Sequence, residues 1–385
     1  MRSHSRMTHP DASAGPVADL TLDGAAVAYR LFDIGYAIEL EAAAALLAPI
    51  GPARTRPARG EAQAIQIANP PVAVSLGARD LVIGGVRCHA QLAARLFDFG
   101  VCSVQLDVAA PQHARWTDFV AFAREVEYSR EVAQLMNEEL GRLRERIASA
   151  IERPGLAPVS EEYVVFRISA LRDEHGALAS PDLLTDERLA LLLLGEQRPL
   201  AREARRSLLS HRFSYYADDL VVLTWDNALV VEPSSNDRDV EYILEFANAQ
   251  LLELRVYDEL LDAQLPAMYD RITAVRRRQL PPTRRFRSVL ADLQTRVADV
   301  TETVERAENG LKVTDDVYLA RVYGAALELF RATAWRRGIE RKLEIFRETY
   351  AMLNGEAQAA RSELLEIVII LVILAELVLG LVRAR

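Results

Sequence analysis

The densest group of residues that could bind a ligand is a run of arginines near residue 280. Six arginines fall within twelve residues around a Pro-Pro turn. Like charges at this spacing repel unless an anion or an acidic side chain joins them, so the run predicts a site for RNA or anionic lipid headgroups. A solvated helix turn with local glutamate partners is the alternative. The predicted site comprises Arg276, Arg277, Arg278, Arg284, Arg285 and Arg287, with Arg336 and Arg337 facing them if the next two helices are antiparallel.

Two cysteines and two histidines are the candidate metal ligands. Cys88 precedes His89 directly, and Cys102 and His113 are widely separated. Zinc sites typically leave about two to five residues between paired ligands, and neither pair has that spacing. We therefore predict no metal site. A single pair of cysteines in 385 residues is no disulfide framework, and it indicates a reducing compartment.

Sequence signatures of catalysis are absent. The chain has no glycine-rich phosphate loop, no His-Glu-x-x-His motif and no nucleophile elbow. Asp218, Asp219 and Asp226 flank a predicted hairpin, where aspartate is an ordinary turn residue. We predict that the protein is not an enzyme and that it uses no cofactor.

The composition is that of a folded protein with a moderate negative charge. Half of the residues are hydrophobic and 26% are charged, which is enough apolar surface for a substantial core. A net charge of −9 argues against a protein that coats nucleic acid with its whole surface, but it allows a local basic site.

The C-terminal end carries the longest apolar stretch. Residues 364–382 contain only two ionisable side chains, Glu366 and Glu376, in nineteen residues. A helix of this length reaches about 28 Å, close to the thickness of a bilayer's hydrocarbon core. The stretch therefore predicts a single-pass C-terminal membrane anchor with the rest of the chain in the cytoplasm, and Glu366 and Glu376 as polar residues of the membrane segment. A helix buried in the core of an oligomer is the alternative.

Secondary-structure patterns predict an α+β protein. Strands followed by helices recur twice, and the spacing of Ile339, Leu343 and Phe346 predicts a coiled-coil seam. The expected architecture is a mixed α+β head, a long antiparallel helical hairpin as a stalk, and a C-terminal transmembrane helix. The predicted segments are a disordered leader (1–24), a first α+β unit (25–155), a second α+β unit (156–235), the helical stalk (236–360) and the anchor (361–385).

Four blocks of sequence resemble the "required for meiotic nuclear division" family, also described as domain of unknown function 155. The hydrophobic end interrupted by glutamates is similar too. The resemblance implies an α+β head, a long helical hairpin and a transmembrane helix, with no established activity. The four blocks are LFDFGVCSVQL (96–106), DDLVVLTWDNALVVEP (218–233), LEFANAQLLELRVYDELLD (244–262) and ENGLKVTDDVYLARVY (308–323).

Taken together, the sequence predicts a membrane-anchored scaffold without enzymatic activity. Because mitochondrial relatives form large homo-oligomers and support translation, the resemblance implies a homo-oligomer that docks ribosomes, RNA or anionic lipid. The composition and the absence of a transit peptide indicate a bacterial member of the family, located in the inner membrane. The alternative is an ion channel or transporter subunit with a layout like that of the CorA magnesium channels, although the Gly-Met-Asn signature of those channels is absent.

Overall fold

The computed structural model of the protein describes residues 20–50, 69–277 and 316–383, except residues 197, 199 and 235–237, and a few positions between 290 and 298. Residues 1–19 of the predicted disordered leader lie outside the described residues. Its last residues, from Thr21 onward, belong to the first strand. Most of the first arm of the predicted stalk hairpin also lies outside them.

The described chain is strand-rich in its N-terminal part and helical in its C-terminal part. The strands are β1 (Thr21–Asp33), β2 (Gly35–Ile38), β3 (Val72–Ile83), β4 (Val86–Leu96), β5 (Val101–Ala109), β6 (Ala114–Arg115), β7 (Ile151–Pro154), β8 (Ser160–Arg172), β9 (Arg212–Phe213), β10 (Leu220–Leu223) and β11 (Asn227–Val231). The helices are α1 (Leu40–Leu47), α2 (Trp116–Glu127), α3 (Arg130–Arg146), α4 (Asp186–Leu193), α5 (Arg202–Leu208), α6 (Asp239–Arg277), α7 (Val317–Leu329) and α8 (Ala332–Arg383).

Nine of the described strands form one sheet in the order β3-β4-β5-β1-β8-β11-β10-β9, with β6 paired to the start of β1. Neighbouring strands are antiparallel except β8 and β11, which run parallel. Strands from both predicted α+β units share this sheet, since β1 pairs along its length with β8. A separate pair, β2 and β7, lies outside it.

The central strand β1 is apolar on both faces. Ala26 and Ala28 belong to the core on one side of the sheet, whereas Val27 and Tyr29 belong to the core on the other. This follows from the alternation of side chains along a strand, because a strand covered on both sides buries apolar residues at successive positions. Helices α2, α3 and α4 cover the first face, and α6 and α7 cover the second.

Two similar pentapeptides, LFDIG (31–35) and LFDFG (96–100), meet at one end of the sheet. The amide of Ile34 donates to the carbonyl of Gly100 at 3.0 Å, and the amide of Ile38 donates to the carbonyl of Asp98 at 2.9 Å. Gly100 has a φ of 95°, and a Cβ there would lie 1.9 Å from the carbonyl oxygen of Gly35. Glycine at position 100 is therefore required both by the backbone angle and by the close approach.

Helix α8 runs parallel to α6. The hydroxyl of Tyr323, on α7, donates to Gln250, and further along Lys342 Nζ lies 2.7 Å from Asp258 Oδ1 and 2.6 Å from Asp262 Oδ1. Residue numbers rise together on both sides, which shows the parallel direction. The predicted seam of α8 is buried against α6 in a cluster that includes Leu261, Met268, Ile272, Ile339, Leu343, Phe346 and Leu353.

The predicted transmembrane helix is wrong. Among the helices that the structure describes, none offers an apolar stretch long enough to cross a bilayer. Helix α8 is continuous from Ala332 to Arg383, and the exposed side chains of Glu366 and Glu376 interrupt its apolar residues. The predicted location, a bacterial inner-membrane protein with a single-pass anchor, is corrected for the same reason.

Candidate functional site

The structure describes four of the eight arginines of the predicted anion site, and these four lie as two separate pairs. Arg276 and Arg277 end α6, whereas Arg336 and Arg337 lie near the start of α8. A Cβ on Gly338 would lie 3.4 Å from Asp258 Oδ1, so the second pair lies level with the middle of α6. Eighteen helical residues, or about 27 Å, separate that level from the end of α6. The other predicted members, Arg278, Arg284, Arg285 and Arg287, lie outside the described residues.

The cysteines and histidines are also dispersed. Cys88 on β4 and Cys102 on β5 are buried as free thiols, and burial raises the pKa of Cys102 to about 12. His89 points to the exposed side, where its Nδ1 lies 3.0 Å from Asp80. His113 instead lies beside Asp23, which accepts the backbone N–H of His113.

Helix α8 carries the largest exposed apolar surface. We define residues 364–377 as the apolar arm. Its large side chains are between 44% and 61% exposed, and both predicted intramembrane glutamates, Glu366 and Glu376, are exposed among them. Its exposed hydrophobic residues are Leu364, Leu365, Ile367, Val368, Ile369, Ile370, Leu371, Val372, Ile373, Leu374 and Leu377.

A closed ring of charges holds the start of α6 against the sheet. Arg167 on β8 lies 3.0 Å from Asp107 on β5 and 3.2 Å from Glu241 on α6. Arg238, just before α6, lies at the same distances from the same two carboxylates. Each charge thus has two opposite charges beside it in a mostly buried place, which is the condition under which buried ions are tolerated. We call these four residues the ionic ring.

A second buried ion pair continues along α6. Arg95 on β4 donates to Glu245, and its guanidinium lies 4.5 Å from the ring centroid of Tyr242. Burial raises the pKa of Glu245, and the charge of Arg95 opposes that rise. Together with the ionic ring, this pair fixes the position of α6 over β4, β5 and β8. These groups bind one another, so they serve to hold the fold rather than to react.

A cavity of about 200 Å³ lies beside the ionic ring, where β10 and β11 meet the first residues of α6 and α7. Three tyrosines line it: Tyr215 and Tyr216 from the loop after β9, and Tyr318 from the first turn of α7. Acidic side chains, including Asp219 and Asp316, line it as well, together with aliphatic residues of β10, β11 and the two helices. We call this cavity the tyrosine pocket.

The sequence interpretation missed the tyrosine pocket. Residues 213–216 read as a strand, but β9 ends at Phe213, and the two tyrosines lie in a turn. That turn is built around Asp219, whose Oδ1 accepts the amide of Tyr215 at 2.8 Å and the hydroxyl of Ser214 at 2.9 Å. Adjacent tyrosines followed by adjacent aspartates were the available signal, since aspartate next to exposed aromatic residues indicates a turn rather than a strand.

Comparison with known proteins finds one family. A family profile described as "Uncharacterized protein MJ0711, N-terminal domain" matches residues 23–238. The "Uncharacterized protein MJ0711" of the archaeon Methanocaldococcus jannaschii is 25% identical over 226 residues, which cover 58% of this chain and 66% of that protein. The alignment thus spans just under two thirds of the relative's length. No solved structure matches the chain.

These matches correct the resemblance proposed from the sequence. The "required for meiotic nuclear division" family is not the family found, and the relative found is an archaeal protein rather than a bacterial one. The four blocks are short and rich in Leu and Val, which recur in any buried strand or helix and therefore discriminate poorly between families. The matched region runs from β1 to the residue before α6, more than half of the chain, and the protein accordingly belongs to the MJ0711 N-terminal domain family.

Proposed function

We propose that the protein is a non-enzymatic scaffold that self-associates through the apolar arm of α8. The observation that carries this proposal is the exposure of eleven large apolar side chains on fourteen consecutive helical residues. Contiguous apolar surface of this extent is rare on monomeric soluble proteins and marks an interaction site. Covering a half-exposed Leu or Ile contributes about 1 kcal/mol, so the arm offers on the order of 10 kcal/mol to an association.

A second copy of α8 is the partner that the pattern supports best. The seam that packs on α6 through Ile339, Leu343 and Phe346 steps by four and three residues, and the same steps continue through the arm. In that register Leu364, Ile367, Leu371 and Leu374 lie on the seam. Glu366 and Glu376 then lie on the opposite side of the helix, where charges remain in water.

The distribution of apolar residues around the arm favours an oligomer in which more than two helices pack together. Apolar residues lie off the seam as well, at Val368, Ile370 and Leu377, so a two-stranded coiled coil would leave them in water. A bundle of three or more helices covers a wider stripe of each helix. We therefore propose a homo-oligomer with the arms at its centre and the α+β heads outside.

The proposed partner of the scaffold is RNA or the translation machinery. A basic site around Arg276 and Arg277 would allow such an oligomer to dock RNA or the translation machinery through several weak contacts at once. The channel alternative required a helix that crosses a membrane, and none of the described helices provides one.

The first prediction tests the seam in the full-length protein. Replacing Ile367, Leu371 and Leu374 by Gln removes the proposed contacts without removing helix propensity. Each change should cost an oligomer about 1–3 kcal/mol per chain, and light scattering after size exclusion should show a monomer. The matched control replaces Ile369, Val372 and Ile373, which are equally apolar but lie off the seam.

The control variant should keep the mass of the wild type. A wild-type protein that is monomeric at all concentrations would contradict self-association. An equal decrease of mass in the seam and control variants would contradict the proposed register. Circular dichroism should show unchanged helix content in both variants, since the arm protrudes from the folded head.

A further inference from the structure

The tyrosine pocket has the geometry of an aromatic corner. The rings of Tyr215 and Tyr216 have centroids 4.8 Å apart and planes at 86°. The rings of Tyr215 and Tyr318 have centroids 5.5 Å apart and planes at 59°. All three line one cavity, so steeply inclined rings border a shared space. Ring faces carry partial negative charge and attract a cation placed within about 6 Å of the ring centre.

The pocket is acidic as well as aromatic. Asp219, Glu232, Asp239, Glu241 and Asp316 line it, against the single lining cation Arg238. That arginine is engaged by Asp107 and Glu241 in the ionic ring. Arg321, on the next turn of α7, does not line the pocket. Its guanidinium lies 5.9 Å from the ring centroid of Phe213 instead.

The N-terminal ends of α6 and α7 contribute some positive charge, but not enough to make the net charge around the pocket positive. A helix N-terminus contributes roughly half a unit charge. At α7, Asp316 accepts the amides of Tyr318 and Leu319 at 2.7 and 3.2 Å and so occupies that N-terminus. Asp219 similarly accepts the amide of Tyr215 at 2.8 Å. These carboxylates are fixed by backbone contacts, and they act on the cavity through their charge.

From these features we infer that the tyrosine pocket binds an alkylammonium group. The cavity is small, so the ligand is a compact head such as the trimethylammonium of choline or of a trimethylated lysine side chain. The rings provide cation–π contact, and the acidic lining provides a negative electrostatic potential that attracts the cation. Inorganic anions are disfavoured by the same lining. The inference is independent of self-association, since the pocket and the apolar arm lie on different parts of the molecule.

Titration with a charged ligand and its neutral isostere tests this inference. Choline and 3,3-dimethylbutan-1-ol have the same shape, but only choline is charged. Chemical shifts of the tyrosine ring protons, followed by NMR on the full-length protein, should move on addition of choline and not of the alcohol. N-acetyl-trimethyl-lysine amide, added separately, distinguishes a protein side chain from a free small molecule by binding more tightly than choline.

Variants locate the site. Tyr216→Ala should weaken choline binding about tenfold or more, whereas Tyr216→Phe keeps the ring face and should bind like the wild type. Tyr269→Ala is the matched control, because Tyr269 is 52% exposed on α6, away from the pocket. Its binding should be unchanged. Thermal melting confirms that each variant is folded.

Several outcomes would overturn the inference. Equal binding of choline and the alcohol would show an apolar pocket without charge recognition. Absence of shifts up to about 50 mM choline, a concentration that detects even very weak complexes, would exclude an ammonium site. Displacement of choline by inorganic phosphate, or equal weakening in the Tyr269→Ala variant, would also contradict it.

Discussion

At the scale of single residues, Gly35 and Gly100 show how the ends of two strands are joined. The approach of the two backbones leaves no room for a side chain, and the φ of Gly100 lies in the left-handed region. Two separate costs therefore fall on any substitution at position 100: the backbone strain and the steric overlap with the carbonyl of Gly35.

These two costs can be separated experimentally. Gly85 has a similar φ of 82°, but a Cβ there would meet nothing within 4 Å. Gly85→Ala should lower the free energy of unfolding by about 1–2 kcal/mol through strain alone. Gly100→Ala should cost about 3 kcal/mol or more, because the neighbouring backbone must also move. Urea denaturation measures both, and equal costs would show that the close approach carries no penalty.

At the scale of elements, α8 is one helix with two environments. Its first half is buried against α6 through Ile339, Leu343 and Phe346, and its second half carries the apolar arm. The parallel direction of α6 and α8 places Arg336 and Arg337 far from the end of α6.

Because Arg336 and Arg337 lie far from Arg276 and Arg277, the two groups of arginines can be tested by separate substitutions. Replacing Arg276, Arg277, Arg278, Arg284, Arg285 and Arg287 by Gln should weaken binding to a single-stranded RNA homopolymer and flatten its salt dependence. The log–log slope should fall by roughly 0.7 for each phosphate that the protein no longer neutralises. Replacing Arg336 and Arg337 by Gln should leave both quantities unchanged, because these residues lie about 27 Å from the end of α6.

Filter binding at several salt concentrations measures this slope. A wild-type protein without RNA affinity at low salt would leave the cluster as a solvated turn. Equal effects of the two sets of substitutions would indicate diffuse attraction rather than a site. The control variant has the additional merit that Arg336 and Arg337 lie on a described helix, so its folding can be interpreted.

At the scale of the whole molecule, several buried carboxyl groups affect stability in the same direction. Burial raises the pKa of Asp33 to about 6, although the amide of Gly35 opposes the rise. Burial also raises the pKa of Glu127, Glu161 and Asp226. A carboxyl group with a raised pKa keeps its proton longer in the folded state than in the unfolded state. Stability is therefore lost as the pH rises, not as it falls.

Asp33 provides the test of this pH dependence. Below pH 3.8 both states are protonated, and between about 3.8 and 6 the unfolded state ionises first, so stability decreases across that window. Asp33→Asn keeps a hydrogen-bond acceptor without the charge. The variant should match the wild type near pH 4 and exceed it by about 2–3 kcal/mol at pH 7. A constant difference between the two proteins across this range would contradict the raised pKa.

The sequence by itself determined the local structure of much of the chain. Local patterns predict extended structure over residues 25–38, a short helix over 39–47 and a hairpin that turns at Asp226–Asn227, because periodicity and turn residues are local properties. The structure has β1, β2, α1 and the β10–β11 hairpin at these places, with the turn starting at Thr224. The break between α2 and α3 was missed. It falls at Ser129, whose hydroxyl caps α3 by accepting the amide of Val132 at 3.2 Å. A serine inside a helical pattern gives only a weak signal of a new N-terminus.

Only the tertiary structure decided which elements meet. The pairing of β1 with β5 and β8 joins segments about 80 and 140 residues apart, and no local pattern specifies such partners, since the entropy of closing each loop is repaid only by the assembled core. The same reason explains the tyrosine pocket, where Tyr215 and Tyr318 meet across 103 residues of chain. The exposure of the apolar arm was also decided by the tertiary structure, because hydrophobicity alone does not tell whether a helix packs against the rest of the chain.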